Sequence, residues 1–351
     1  TVELQDYLTN SGEGNKEFSN LPRKWNTAVA GAKDNFLLHN DIVFHPVERN
    51  GVMGFGVWVG GILSSQMNAY AIPLNAWILP DQICPLTGAV IRIWRDHGER
   101  DKRPRGRFRF YLDAVGIEKF REMVVAEVGP LQEDPGSVFD TRPRSPYGLH
   151  PQKQAGLFYA GLHVPVGRLR ATDLQDLASA ADRYGAGEVR ITEDQNVILT
   201  GIRAEARTEL EQDPLLQRFP LHPHPVGAGT VSCTGNTYCS FALTNTKDTA
   251  LAMASELDSE LNLPEEVKIH WTGCPNSCGQ AYMGAIGLTG TKTRGPEGGM
   301  VEGYDLTLGG SQGKDPQIGI LSRKGVPATE IKNVLREVLI EQFGATAKQT
   351  G

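Results

Sequence analysis

Four of the five cysteines in this 351-residue chain are clustered, and the cluster limits what the chain can fold into more than any other feature. Four thiolates suit either a zinc ion or a 4Fe-4S cube, because both need soft sulfur donors that converge on one centre. A gap of five residues is wide for a zinc knuckle, and small turn-forming residues surround the cysteines, so loops around a larger cluster are favoured. The pattern is Cys-x5-Cys-x34-Cys-x3-Cys, at Cys233, Cys239, Cys274 and Cys278.

Two other interpretations of the cysteine cluster stay open on the residues alone, namely a zinc site and a set of unrelated buried thiols. The fifth cysteine, Cys84, stands at the start of an apolar helical pattern and is predicted to be a buried free thiol. Five cysteines are too few for a disulfide scaffold in a chain of this length.

Composition places the chain among globular proteins, with 40% hydrophobic and 22% charged residues. A net charge of -6 argues against a general nucleic-acid binder, so we expect no nucleic-acid partner. The longest apolar stretch, residues 52–63, contains four glycines and is too short to cross a bilayer. The first residues lack the basic and apolar segments of a targeting peptide, and we expect no membrane partner.

Two motifs together resemble the nitrite and sulfite reductase family. HWTGCPNSCGQ, with the cysteine pair upstream of it, is similar to that family's siroheme and 4Fe-4S site, and NLPRKWN at residues 20–26 is similar to its substrate-side motif. Within the family, the chain most resembles the cyanobacterial-type ferredoxin-dependent nitrite reductases. The resemblance continues along nearly the whole chain, through HNDIVFHP, GVMGFGVWVGG, RGRFRFYLD, GLHVPVGRL and RITEDQN.

The resemblance implies an α+β protein with the siroheme reductase fold, in which a pseudo-two-fold repeat places a ferredoxin-like half-domain between two α/β domains. We predict a first α/β domain at residues 1–145, a half-domain at 146–210, and a second α/β domain with the cysteines at 211–351. The first domain is expected to lack an N-terminal portion. In the repeat, we pair Pro22 of LPRKWN with Pro275 of GCPNSC, and Gly60 with Gly309.

Helix signals recur along the chain, with apolar periodicity that ends at glycine or proline. A capping box at Thr172 and Gln175 predicts the start of one helix, which Gly185 ends. Polar or proline-rich stretches at 133–151 and 219–229 are predicted linkers. Further helices are predicted at 86–97, 117–128, 247–261 and 330–343, and strands at 157–166, 188–192 and 196–202.

RGRFRFYLD alternates basic and apolar residues, which predicts a strand with a row of guanidinium groups along one face. Such a row could hold several carboxylates, and the resemblance favours those of siroheme over a solvated face or a nucleic acid. The glycine pair after the strand at VWVGG is expected to let the backbone approach a flat ring, and structural glycines at a strand end are the alternative. The resemblance also implies a siroheme contact for Arg23. The predicted siroheme-binding set is Arg23, Gly60, Gly61, Arg105, Arg107, Arg109 and Cys278.

As the resemblance implies, the four cysteines hold the cube and Cys278 also ligates the siroheme iron. Reduced ferredoxin would supply electrons for the six-electron reduction of nitrite to ammonium. Lys24 matches the family's active-site lysine, and Asn26 beside it favours nitrite over the sulfite dianion, because sulfite reductases have a second lysine there. Two active-site arginines of the family have no match in residues 1–20.

The alternatives are an assimilatory sulfite reductase and, from another class, an iron-sulfur electron carrier or an inactive fragment. The expected location is the cytoplasm, or the plastid stroma if the source is a photosynthetic eukaryote.

Overall fold

The computed structural model describes residues 1–31, 37–136, 146–313 and 315–348. The chain divides into two compact units, residues 1–142 with 313–316, and residues 143–312 with 317–351. The predicted division at 145 and 210 stays a prediction. In the described part of the chain, no helix is long and apolar enough to span a membrane.

The first unit contains a sheet in the order β1-β2-β3-β6, in which β1 is parallel to β2 and the other neighbours are antiparallel. Its strands are β1 (Thr27–Val29), β2 (Ile42–Arg49), β3 (Val52–Val59), β4 (Ile62–Leu63), β5 (Asn68–Ala69) and β6 (Ile72–Ile78). Its helices are α1 (Val2–Thr9), α2 (Lys16–Ser19), α3 (Ile83–His97), α4 (Phe108–Val115) and α5 (Ile117–Val128).

Helix α3 builds the core of this unit. Its apolar residues recur at the spacing of one helical face, as in Ile83, Leu86 and Val90, and this face packs on buried strand residues such as Phe44 and Val57. Each fully buried side chain of this size contributes about 1.5–3 kcal/mol. The sheet and α3 therefore share one apolar core.

The predicted arginine strand is wrong, because residues 108–115 form helix α4 and residues 103–105 form a 3-10 turn. The same residues also fit a helical period: Phe108 and Leu112 are four apart and both are buried. Phe108 packs on the ring of Phe120 at 5.3 Å, and this tertiary packing decides between the two periods. The guanidinium groups consequently do not form one row.

The second unit contains two larger sheets, β7-β8-β10-β9 and β11-β13-β14-β15-β16. Its strands are β7 (Gly148–Pro151), β8 (Leu157–Leu162), β9 (Val189–Ile191), β10 (Val197–Arg203), β11 (Thr230–Ser232), β12 (Leu261–Asn262), β13 (Ile269–Thr272), β14 (Ile286–Arg294), β15 (Met300–Leu308), β16 (Ile320–Pro327) and β17 (Thr346–Ala347). Its helices are α6 (Ala171–Tyr184), α7 (Arg207–Glu211), α8 (Pro225–Gly229), α9 (Lys247–Glu260) and α10 (Ile331–Phe343).

The predicted helices all occur, with differences at their ends. Helix α6 begins at Ala171, before the predicted capping box, because the Asp173 carboxylate accepts the Arg170 N–H at 2.8 Å. The two predicted linkers are partly regular structure, since they contain β7 and α8. Residues 137–145 of the first linker lie outside the described residues.

The sheets of the two units repeat one strand register. In each copy a parallel strand pair is followed by two antiparallel strands and then by a helix, α3 or α10. Comparison of the strand registers shows which residues occupy equivalent positions in the two copies. The equivalent residues are Thr27 and Ile269, Ile42 and Ile286, Val59 and Leu308, Ile72 and Ile320, and, at the helix starts, Ile83 and Ile331.

This register aligns Gly60 with Gly309, as the sequence predicts, but the predicted match of Pro22 with Pro275 is wrong. Pro22 lies five residues before the first strand of its copy, and the residue in that position of the second copy is Pro264. The prediction counted residues back along the chain from the glycines. This count fails because the β13–β14 loop and the β14–β15 hairpin are longer than the β1–β2 loop and the β2–β3 hairpin.

NLPRKWN at residues 20–26 therefore corresponds to NLPEEVK at residues 262–268. The substrate-side motif precedes the first strand of its copy. The cysteine pair Cys274 and Cys278 follows the first strand of the other copy.

Candidate functional site

Asp41, which the sequence analysis did not single out, organises the substrate-side motif. Its carboxylate is completely buried and accepts the backbone N–H of Asn26 at 2.8 Å. The buried Arg107 donates from Nη2 to both carboxylate oxygens, at 3.1 and 3.2 Å. Lys24 is exposed and lies close enough for its charge to act on the same carboxylate. The structure thus places three predicted site residues, Lys24, Asn26 and Arg107, around the Asp41 carboxylate.

Burial raises the pKa of Asp41 to about 6, because the charged form loses its hydration. The charge and hydrogen bonds of Arg107 oppose this rise, followed by the Asn26 N–H and the charge of Lys24. Removing one partner of such a buried ion pair lowers the free energy of unfolding by about 3–5 kcal/mol, because the other charge is left uncompensated.

Gly60 and Gly61 serve the packing of the chain itself. Gly60 has a φ of +82° and donates its N–H to the Asp41 carbonyl at 2.8 Å. A Cβ on Gly60 would lie 2.5 Å from Leu112 Cδ2, and one on Gly61 would lie 2.2 Å from the Leu38 carbonyl oxygen. Both positions therefore exclude a side chain on local grounds, and their predicted contact with siroheme stays a prediction.

The three arginines of the predicted row have different surroundings. Arg107 forms the pair with Asp41, and Arg109 donates to the carbonyls of Gly60 and Tyr70 at 3.1 and 2.9 Å. Arg109 also pairs with Asp113 at 2.7 Å. Arg105 is exposed and its guanidinium lies 5.9 Å from the centre of the Phe110 ring. Arg23, within the motif, is half-buried.

The cysteines lie on two loops that begin at one edge of the sheet in the second unit. Strands β11 and β13 are parallel neighbours, so the residues that follow them start side by side. Cys233 donates its N–H to the Trp271 carbonyl at 3.0 Å, and its Sγ accepts the Gly273 N–H at 3.1 Å. These contacts hold the two cysteine loops together.

Main-chain hydrogen bonds shape the first cysteine loop. Cys239 donates its N–H to the Gly235 carbonyl at 3.1 Å, and Leu243 donates to the Gly273 carbonyl at 2.7 Å. The Thr246 hydroxyl closes the loop by donating to the Cys233 carbonyl at 2.6 Å.

In the second cysteine loop, Cys274 is buried and Cys278 is exposed. Ser277 between them has a φ of +56°, which turns the chain between the two thiols. A Cβ on Gly279 would lie 2.0 Å from the Trp271 carbonyl oxygen, so this residue must be glycine.

The residues present fit a 4Fe-4S cluster. None of the four thiols forms a disulfide, and they stand on two joined loops. Across residues 1–31, 37–136, 146–313 and 315–348, no three His, Cys, Asp or Glu side chains are grouped tightly enough to hold one metal ion. The fit therefore rests on the donors themselves, four thiolates on two adjoining loops, which are the ligands that 4Fe-4S clusters take.

Residues distant in sequence support the cysteine loops. The Gln195 amide pairs with both main-chain groups of Ser232, donating to its carbonyl at 2.9 Å and accepting its N–H at 3.3 Å. His270 Nδ1 lies 3.1 Å from the carbonyls of Gly279 and Gln280, so it carries the proton. Burial lowers the pKa of His270. Gln195 lies in RITEDQN and Asp41 in HNDIVFHP. The sequence analysis quoted both motifs, but the sequence does not reveal which residues these two side chains contact.

Comparison with protein families matches almost all of the chain. The nitrite and sulphite reductase 4Fe-4S domain matches residues 1–130 and 228–347, and the nitrite/sulfite reductase ferredoxin-like half domain matches residues 150–216. The chain belongs to the nitrite and sulfite reductase family. Membership confirms the predicted fold and the predicted cofactors, a 4Fe-4S cluster with a siroheme.

Within the nitrite and sulfite reductase family, similar proteins include the ferredoxin-nitrite reductase of Synechococcus elongatus, 50% identical over 98% of this chain and 68% of the relative. The chloroplastic ferredoxin-nitrite reductase of Zea mays is 40% identical over 99% of this chain and 62% of the relative. The solved structure of the NirA protein of Mycobacterium tuberculosis has a TM-score of 0.88 at 27% identity, covering 97% of this chain and 63% of that one. The chain thus spans about two thirds of the relatives it matches.

Proposed function

We propose that this chain carries out the six-electron reduction of nitrite to ammonium, with reduced ferredoxin as the electron donor, in nitrate assimilation. The names of the Synechococcus and Zea relatives support this activity. The observation that carries it is the placement of Lys24 and Asn26 on one segment that a buried carboxylate holds. The proposed location is the cytoplasm, or the plastid stroma in a photosynthetic eukaryote.

The residues divide between electron and substrate chemistry. Cys233, Cys239, Cys274 and Cys278 would hold the cluster, and the exposed Cys278 would also ligate the siroheme iron. When bound, this pair of cofactors supplies electrons singly to the substrate. The protein supplies charge, orientation and protons.

On the substrate side, the exposed Lys24 ammonium would offset the charge of the anion and donate a proton from Nζ. The Asn26 side chain would donate a hydrogen bond without adding charge. Nitrite carries one negative charge and sulfite carries two, so a single lysine in this segment favours nitrite. The ionised Asp41 further limits the positive charge, because it pairs with Arg107.

The siroheme carboxylates require other cations. Arg23 and Arg105 are proposed partners, since Arg23 is half-buried in the motif and Arg105 is exposed. Arg107 and Arg109 already contact Asp41 and Asp113, so we propose that they support the cofactor pocket through these protein contacts as well as through their charge.

The test is ammonium production from nitrite with reduced ferredoxin, together with the visible spectrum and the iron and sulfide content of the purified protein. We expect siroheme bands, a full cluster, and turnover with nitrite that exceeds turnover with sulfite. Faster sulfite turnover would indicate the sulfite reductase alternative. A cluster without siroheme bands would indicate an electron carrier, and absence of both cofactors would indicate an inactive fragment.

A further inference from the structure

We propose that Asp41 is a positioning residue for the nitrite site, fixing the Lys24–Asn26 segment by binding Asn26 and Arg107 at once. This inference rests on the proposed function, because it assigns Asp41 a role in the same site. It adds a residue outside the LPRKWN motif.

The contacts of Asn26 show how the segment is held. Its N–H donates to the Asp41 carboxylate at 2.8 Å, and its carbonyl accepts the Ile42 N–H at 3.3 Å. Both main-chain groups of Asn26 are therefore bound to adjacent residues at the start of β2. Trp25, one residue earlier, packs on Trp94 with ring centres 5.5 Å apart. The backbone from which Lys24 extends is thus fixed at its C-terminal side.

The second copy of the strand repeat shows that the fold does not need this carboxylate. The residue in the position of Asp41 is Ala285, whose carbonyl accepts the Gly309 N–H at 3.1 Å, as the Asp41 carbonyl accepts the Gly60 N–H at 2.8 Å. Ile286 likewise donates to the Lys268 carbonyl at 3.1 Å. The same backbone arrangement therefore forms with alanine at this position.

Burying a carboxylate carries a desolvation cost that the pairing with Arg107 only partly offsets, as the raised pKa of Asp41 shows. An apolar residue would avoid this cost, and the second copy has one. The carboxylate is thus best explained by what it holds, namely the Asn26 N–H and the Arg107 guanidinium.

Two variants separate positioning from stability in the holoenzyme. Asp41→Asn leaves Arg107 buried without a counter-charge, so we expect lower stability and lower turnover. The double variant Asp41→Leu/Arg107→Met replaces the pair with apolar groups, and such replacements are commonly neutral for stability. We expect the double variant to regain wild-type thermal stability, and its rates are expressed per siroheme bound. Its kcat should nevertheless fall about 10- to 100-fold, the range typical of lost supporting contacts, with a smaller change in KM.

A matched control removes another ion pair of the first unit. Arg92→Met/Glu127→Leu deletes a partly exposed pair with a 2.8 Å contact between α3 and α5, in which Arg92 also contacts Glu17 at 3.0 Å, and we expect unchanged kcat. Wild-type kcat in the Asp41→Leu/Arg107→Met protein would overturn the proposal, because the pair would then serve stability alone.

A measurement without turnover keeps this proposal separate from the proposed function. Hydrogen-deuterium exchange of residues 20–28 reports the Asn26 N–H directly. We expect at least tenfold faster exchange there in the double variant, and no change in the Arg92→Met/Glu127→Leu control. Unchanged exchange would overturn the positioning role even in an active enzyme. A wild-type protein that binds both cofactors but makes no ammonium would instead overturn the proposed function.

Discussion

The segments NLPRKWN at residues 20–26 and NLPEEVK at residues 262–268 occupy the same position in the two strand copies but carry opposite charges. In the first copy, Arg23 and Lys24 stand where the second has Glu265 and Glu266. The shared asparagine, leucine and proline set the approach of the chain to the first strand. The charged positions that follow are free to differ.

The difference shows how one backbone serves two purposes. In the second copy, Lys268 pairs with Asp194 at 2.5 Å and with Glu266 at 2.9 Å, so its charge is used inside the unit. These acids raise the pKa of Lys268 in spite of its burial. In the first copy the acid is buried at Asp41, and Lys24 is exposed. The second copy thus uses the lysine of its segment in ion pairs within the unit, whereas the segment of the first copy carries an exposed lysine.

The largest expected effect comes from the cysteine loop of the second copy. Cys278→Ser should abolish nitrite turnover, because this exposed thiol is proposed to join cluster and siroheme. Electron paramagnetic resonance of the purified variant should show loss of coupling between the two cofactors even where some iron remains. Normal coupling in the serine variant would remove the assignment of Cys278.

The next effect tests the opposite charges directly. Lys24→Glu gives the first copy the charge of the second, and we expect kcat/KM for nitrite to fall about 100- to 1000-fold, as when an electrostatic contact to the reacting anion is removed. The matched control is Glu265→Lys at an exposed position of the second copy, which should change kcat/KM less than about twofold. Comparable losses in both variants would contradict the division of roles.

Asp41 should also give stability a pH dependence. Its pKa is about 6 in the folded chain against an ordinary 3.8, so between these values the folded state binds more protons than the unfolded state. The contribution of Asp41 is therefore fully present below pH 4 and is lost as the pH rises through 6, at up to about 1.4 kcal/mol per pH unit. Denaturant unfolding of wild type and Asp41→Leu/Arg107→Met across this range isolates the slope. Parallel curves would argue against the raised pKa.

The smallest expected effect concerns the choice of anion. Asn26→Lys adds a positive charge beside Lys24, and we expect the ratio of sulfite to nitrite turnover to rise about tenfold, because a dianion gains more from that charge. Steady-state rates with both anions, on protein with intact siroheme bands, give the ratio. An unchanged ratio would mean that Asn26 does not discriminate between them.

The sequence alone determined the family and most of the helices, and it predicts the cysteine set. These features depend on local signals: fixed cysteine spacings, glycine and proline at helix ends, and apolar residues at a helical period. Helix α5, Ile117–Val128, appears as predicted because its period and its terminal Gly129 agree. The Gly-Gly pairs that begin at Gly60 and Gly309 are also a local signal, and they located the repeat.

Tertiary structure alone decided the state of the arginine segment and the role of Asp41. Arg105 to Arg109 fit both a strand and a helix, and only packing of Phe108 among distant rings selected the helix. The Asp41–Arg107 pair joins residues 66 positions apart, and no local pattern encodes such a contact. Burial, which gives Asp41 its raised pKa and its hold on Asn26, arises only when those distant segments meet.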